Sequence, residues 1–225
     1  MTAVKVCGAV SADDVATVAA GGADLVGLWH GVDGGHAELP MDRLVTLAGT
    51  AAALGLQAVL VTLLRDARRL GDLIRTSAVP MVQLHGYQPP GVVRAVKAHA
   101  EVTVVKVLHV GPEGCPELGL IDAYLRAGTD LFLIDAATGD GRLGSTGRRV
   151  AADQVLALAD RCGAPFLLAG GIDARLGTHE PVAGHPLFHG VDVDTGARDT
   201  AGRLDRGRIT DIVRTWRAAP TVVPR

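Results

Sequence analysis

The chain is short of aromatic side chains, short of cysteine and without an excess of either charge, and each shortage narrows what it can be. Three Phe, two Tyr and two Trp among 225 residues leave the interior to Val, Leu, Ile and Ala. That composition suits short buried strands covered by Ala-rich helices. Cys7, Cys115 and Cys162 form an odd set with no paired metal spacing, so a disulfide scaffold and a structural zinc centre are both disfavoured and a reducing cytoplasm fits better. Lys and Arg number 22 against 24 Asp and Glu, giving a net charge of -2 with no basic tail. Nothing in that balance draws the chain to nucleic acid or to an anionic membrane. The basic cluster Arg65, Arg68 and Arg69 is spaced like the solvated side of a helix. Apolar runs such as Ala58 to Leu64 are far too short to cross a bilayer, and the N-terminus enters a strand-like run without a charged leader. Neither an export signal nor a transmembrane helix is expected.

What the chain has in quantity is aliphatic residues and turn formers: it is 48% hydrophobic, with 29 Gly and 11 Pro. Its length points to one domain, 1–225, with one core and no inserted second unit. Short β-branched or aliphatic runs recur, each followed by a polar connection and an amphipathic segment. The strand candidates are Val4 to Val6, Leu25 to Leu28, Gln57 to Val61, Met81 to Leu84, Val102 to Val107, Leu131 to Ile134, Phe166 to Leu168 and Gly190 to Val193. Between them lie helical stretches Ala12 to Ala20, capped by Ser11, Met41 to Leu54, Ala67 to Arg75, Pro89 or Pro90 to His99, one ending near Arg126, and Ala151 to Arg161. Asp205 to Trp216 forms the last helix, while Ile172 to His189, with its prolines and glycines, has room for only a turn or two.

Eight such units predict an α/β fold with a parallel sheet, because each parallel strand needs a crossover to return the chain. A single (β/α)8 TIM barrel is the preferred architecture, with a doubly wound open sheet as the alternative. In a barrel the C-terminal strand ends surround one opening. Lys5-Val6-Cys7-Gly8, Ile134-Asp135 and Ala169-Gly170-Gly171 would then meet there although they are distant in sequence.

Cys7 reads either as a small buried hydrophobe or as a base or nucleophile, the latter needing a depressed thiol pKa supplied by Lys5 or backbone N–H groups. Asp135, at the end of an apolar run, either caps the next loop or serves as general acid or base opposite Cys7. Ala169-Gly170-Gly171 and Asp194-Thr195-Gly196 follow strands and read as tight turns or as phosphate cradles; Gly144 to Gly147 offers a third. None has the context of a dinucleotide or Walker site. Gln83 and His85 lie two apart on one strand and face the same way. His30, Asp33, His36 and Glu38 crowd one loop without a metal geometry, so they read as solvent-facing and no metal is expected.

Taken together these strings resemble the phosphoribosylanthranilate isomerase family, tryptophan-pathway enzymes that perform an Amadori rearrangement. Lys5-Val6-Cys7-Gly8, Gly22-Ala23-Asp24 with Val26-Gly27, Val82-Gln83-Leu84-His85-Gly86, Leu133-Ile134-Asp135, Ala169-Gly170-Gly171-Ile172 and Val191 to Gly196 match the family's segments in order over nearly the whole chain. The resemblance implies Cys7 as general base, Asp135 as general acid, Gly170, Gly171, Thr195 and Gly196 on a 5′-phosphate, and Asp192 on sugar hydroxyls. Lys5, His36, Gln83 and His85 complete the expected substrate contacts. No cofactor is implied, because the substrate's own nitrogen is the electron sink, and the only partner expected is a phosphorylated small molecule. Monomer and homodimer are both compatible with the chain.

The departures are specific. His36 stands where the family carries an arginine that holds the anthranilate carboxylate, and a histidine cannot make that bidentate fork. The loop after strand six reads Arg142 to Arg149 in place of a Gly-Gly-Ser/Thr-Gly-Lys stretch, and Arg198 replaces a glutamate. Those arginines are candidates to restore an anion contact. The alternatives to the family reaction are an isomerase or lyase acting on a different phosphosugar conjugate, and a non-catalytic barrel.

Overall fold

In a computed structural model that describes residues 1–136, 150–176 and 181–218, eight parallel strands close into one barrel in sequence order. The strands are β1 (Ala3–Cys7), β2 (Leu25–Trp29), β3 (Gln57–Thr62), β4 (Met81–Leu84), β5 (Thr103–Val110), β6 (Leu131–Ala136), β7 (Phe166–Leu168) and β8 (Phe188–Val193). The helices are α1 (Ala12–Ala20), α2 (Met41–Ala53), α3 (Ala67–Ser77), α4 (Pro90–His99), α5 (Ile121–Ala127), α6 (Ala152–Cys162) and α7 (Arg206–Arg217). The open-sheet alternative is excluded by the pairing of β1 with β8, in which Lys5 lies opposite Asp192.

Local chemistry explains the element ends. Ser11 and Asp14 form a reciprocal capping box at the start of α1, and Asp66 and Asp205 accept from the first-turn amides of α3 and α7. Gly128 and Gly163 end α5 and α6 in the left-handed conformation. In the described part of the seventh crossover the helical element is one 3₁₀ turn, Pro181–Gly184, in keeping with its proline and glycine content.

The outward strand faces and the helices form the main core, around Leu28, Leu44, Leu47, Leu60, Phe132, Ile209 and Trp216. Inside the barrel, Val105, Val107, Leu133, Leu167 and Ala169 make a separate apolar cluster on the β5–β7 side. Elsewhere the strands carry buried polar side chains, Lys5 on β1, Gln83 on β4 and Asp192 on β8. Several strands run further than the sequence pattern predicts, β5 and β6 by the most at their C-terminal ends. β5 continues to Val110 and β6 to Ala136, and their register pairs His109 with Asp135. Asp135 is therefore inside a strand rather than at its end, because Ala136 keeps its ladder position opposite Val110.

Candidate active site

A cavity enclosing about 710 Å³, mouth included, opens at the C-terminal ends of the strands. Cys7, Trp29, His85 and Asp135 line it together with Gly170, Gly171, Asp192, Asp194, Thr195 and Gly196. Of the residues expected at the site, Cys7, Asp135, His85, Asp192, Thr195 and the three glycines reach this wall directly. Lys5 and Gln83 lie just beneath it, fully buried, and His36 sits at the rim with about half its side chain exposed.

The polar wall begins with strand parity. Lys5 and Cys7 are two apart on β1, so both point inward. Lys5 Nζ is 2.7 Å from Asp192 Oδ2 on the neighbouring strand and 3.3 Å from Cys7 Sγ. Burial alone would lower the lysine pKa, but Asp192, then Cys7, more than offset it and raise it to about 12. Gly27 makes room for this group, since a Cβ there would lie 2.6 Å from Cys7 Sγ and 3.1 Å from Lys5 Nζ.

The depressed pKa that the base or nucleophile reading of Cys7 needs is not found. Burial pushes the thiol up to about 12, and the cation of Lys5 offsets that only in part, opposed by Asp192 and Asp194. At neutral pH Cys7 is therefore a thiol, not a thiolate. Trp29, which the sequence reading passed over, donates from Nε1 to Cys7 Sγ at 3.0 Å. Its signal was parity with Gly27 at the inward face of β2.

Asp135 moves the other way in usefulness. Burial, then the nearby Asp192, raises its pKa from 3.8 to about 7, which keeps a proton available near neutral pH. His85 Nε2 is 3.8 Å from Asp135 Oδ2. Burial and then His109 lower the histidine pKa to about 3, so this ring is neutral. Gln83 Nε2 lies 2.9 Å from Nδ1 of this ring, which leaves Nε2 turned toward Asp135. His109 was also missed, because it lies beyond the predicted end of its strand. Its Nδ1 is 2.7 Å from Glu117 Oε1, and its ring meets that of His85 edge-on at 5.8 Å.

The other side of the cavity is backbone. Gly170 and Gly171 have φ of +86° and +63°, a pair of left-handed residues that side chains would strain. A Cβ at Gly196 would land on the Ile172 carbonyl oxygen. These turns leave N–H groups free of side-chain cover, the arrangement anionic oxygens use. Asp192 is on the same wall, and its Oδ1 is buried without a hydrogen-bond partner in good geometry among the described residues.

At the rim, His36 Nε2 lies 3.3 Å from Asp194 Oδ2, and its ring packs edge-on against Trp29. The candidate anion contact of Arg198 is not free: its Nε donates to Asp194 Oδ1 at 2.6 Å and its other nitrogens to main-chain carbonyls. Arg142, Arg148, Arg149 and the Gly144 to Gly147 segment lie outside the described residues. His30 and Glu38 are engaged with the carbonyl of Leu39 and the amides of Gly31 and Val32. Among the described residues no group of three His, Cys, Asp or Glu is placed to hold a metal ion. No described helix is long and apolar enough to cross a membrane.

No family model matches the chain. Curated relatives do: the N-(5′-phosphoribosyl)anthranilate isomerase of Halobacterium salinarum is 32% identical over 98% of both chains. That of Azorhizobium caulinodans is 31% identical over 96% of this chain and 92% of its own. Among solved structures, the same enzyme from Pyrococcus furiosus superposes with a TM-score of 0.76 at 20% identity, covering 96% of this chain and 99% of that one. A 3-hexulose-6-phosphate synthase from Salmonella typhimurium shares the barrel at 14% identity, with a TM-score of 0.71 over 96% and 98%. Identity of 31–32% to curated relatives over nearly the whole of both chains places this chain in the N-(5′-phosphoribosyl)anthranilate isomerase family.

Proposed function

We propose that the protein is an isomerase of a phosphoribosyl N-glycoside, converting an aldose-derived amine to the aminoketose by an Amadori rearrangement, with phosphoribosylanthranilate as substrate. The observation that carries this reading is one cavity with Cys7 and Asp135 on its wall and the glycine turns after β7 and β8 beside them. Relatives at 32% identity bear the name of that enzyme.

The chemistry follows from the two environments. Asp135, protonated near neutrality, gives its proton to the ribose ring oxygen as the bond from that oxygen to C1 breaks and the nitrogen lone pair closes a C1=N iminium. Cys7 then takes the proton from C2. The C–H electrons form the C1=C2 bond and return the nitrogen to neutrality, and the enolamine tautomerises to the ketone. Cys7 must first release its own proton to solvent through the cavity mouth, and burial of the sulfur opposes that. The iminium cation formed in the first step lowers the cost, since an adjacent positive charge favours thiolate. Lys5 supplies fixed positive charge on the other side, and Trp29 holds the sulfur in place. Because the substrate nitrogen is the electron sink, the reaction calls for no cofactor.

Gly170, Gly171, Thr195 and Gly196 are assigned to the 5′-phosphate, and Asp192 to a sugar hydroxyl. The neutral His85, steadied by Gln83, presents its Nε2 beside Asp135. A second reading, the same chemistry on a different amine conjugate, is favoured by the pairing of His36 with Asp194. Purified protein incubated with phosphoribosylanthranilate decides between them: aminoketose product supports the first reading. No product, with turnover of another phosphosugar amine, supports the second.

A further inference from the structure

Cys7 is held from both its sulfur and its main chain by residues of one connected group. Trp29 and Lys5 donate to Sγ at 3.0 and 3.3 Å. On the main-chain side, Arg198 Nη2 donates to the Gly8 carbonyl at 2.9 Å and reaches the Cys7 carbonyl at 3.4 Å. The same guanidinium donates from Nε to Asp194 Oδ1 at 2.6 Å and from Nη1 to the Gly202 carbonyl at 3.0 Å. Asp194 in turn meets His36, and His36 packs on Trp29, so the contacts run in a ring from the Cys7 carbonyl back to its sulfur.

The neighbouring turn is shaped to admit this arginine. Gly8 has φ +81°, and a Cβ there would lie 2.6 Å from Arg198 Nη2. The amides of Gly8 and Ala9 both donate to the Gly27 carbonyl, at 3.0 and 3.3 Å, so the turn is fixed to β2 on one side and to Arg198 on the other. Arg198 is largely buried yet is not on the cavity wall. Its planar fork spans acceptors from two strand ends at once, a task one ammonium nitrogen cannot perform.

We infer that Arg198 is a positioning residue for Cys7, clamping the turn that carries it to the loop after β8 through Asp194, a role that rests on the isomerase reading above. Arg198 does not touch substrate. It sets where the sulfur stands when C2 arrives, and a displacement of about 1 Å at such a point is worth roughly a hundredfold in rate.

The test compares R198Q, R198K and R203Q with the wild-type protein, by steady-state kinetics and by amide hydrogen exchange. Arg203, in the same loop and mostly exposed on Asp199, controls for loop charge. R198Q is expected to lower kcat by about 10- to 100-fold with KM within about threefold, and to speed exchange of the Gly8 and Ala9 amides at least about tenfold while β4 and β5 stay protected. R198K, which keeps the charge without the fork, falls between, and R203Q stays within about twofold of wild type. Unchanged kcat, a loss confined to KM, or unchanged exchange at Gly8 and Ala9 in R198Q overturns the assignment. Should R198Q not fold, R198K is read by the same two measurements, and wild-type behaviour in both overturns it. If the wild-type protein does not turn over phosphoribosylanthranilate, the substrate reading fails while the exchange measurement still decides the clamp.

Discussion

On the β1 and β8 wall of the cavity, Lys5, Cys7 and Asp192 meet through buried side chains, whereas on the β7 and β8 loops Gly170, Gly171 and Gly196 present bare backbone. The first wall is held by charge, with a buried ion pair 2.7 Å long at its centre. The second is held by conformation and lack of volume. A site divided this way should answer differently to substitution, with changes of charge felt on one wall and changes of size on the other.

The largest effect tests whether chemistry sits on the side-chain wall at all. Cys7→Ser and Asp135→Asn should each lower kcat by about 10² to 10⁴, the range removal of a general acid or base produces, with folding retained. Wild-type turnover in both purified variants would move the chemistry elsewhere.

Lys5→Met comes next, since it leaves the buried Asp192 without its cation. Breaking such a buried pair costs about 3–5 kcal/mol, readable by urea unfolding. A loss under about 1 kcal/mol would show that the ion pair does not organise this wall.

Asp135→Asn should also change stability with pH, in a direction fixed by its pKa. The folded carboxyl holds its proton up to about pH 7, whereas unfolded it loses it near 3.8, so between those values the folded state binds more protons. Stability of the wild type attributable to this group is therefore full below about 3.8 and is lost as pH rises toward 7. The Asn variant should gain on the wild type over that window, by on the order of 4 kcal/mol at most above pH 7. Unfolding at pH 4 and pH 8 measures it, and a gain equal at both pH values would contradict the assigned burial of charge.

On the backbone wall, Gly196→Ala drives a methyl onto the Ile172 carbonyl and should cost about 1–3 kcal/mol in stability, with KM rising more than kcat falls. The smallest effect is expected at the rim. His36→Gln removes a half-exposed pair worth under about 1 kcal/mol, and KM for phosphoribosylanthranilate should stay within about threefold. A tenfold rise would instead place the substrate carboxylate on His36.

Much of the barrel was legible because parallel strands demand crossovers, and the crossovers carry helix periodicity and caps such as Ser11 and Asp66. Cys7, Asp135 and the glycine turns were legible as strand-end residues, through their order and their resemblance to a family. Trp29 and His109 were not: each stands where alternation ends or was judged to end, and its inward direction depends on one or two further residues of strand. Nor could spacing show that Arg198 is committed to the protein. Its partners at Gly8 and Cys7 are about 190 residues away in the chain.

By itself the sequence determined the alternation, the caps, the glycines that permit positive φ and the residue types at each strand end, because these depend on neighbours within a few positions. Whether Cys7 is a thiol or a thiolate, and whether Asp135 holds a proton at neutral pH, was decided only by tertiary structure. Both depend on how much water is removed and which charges lie across the barrel, and closure of β1 on β8 sets both.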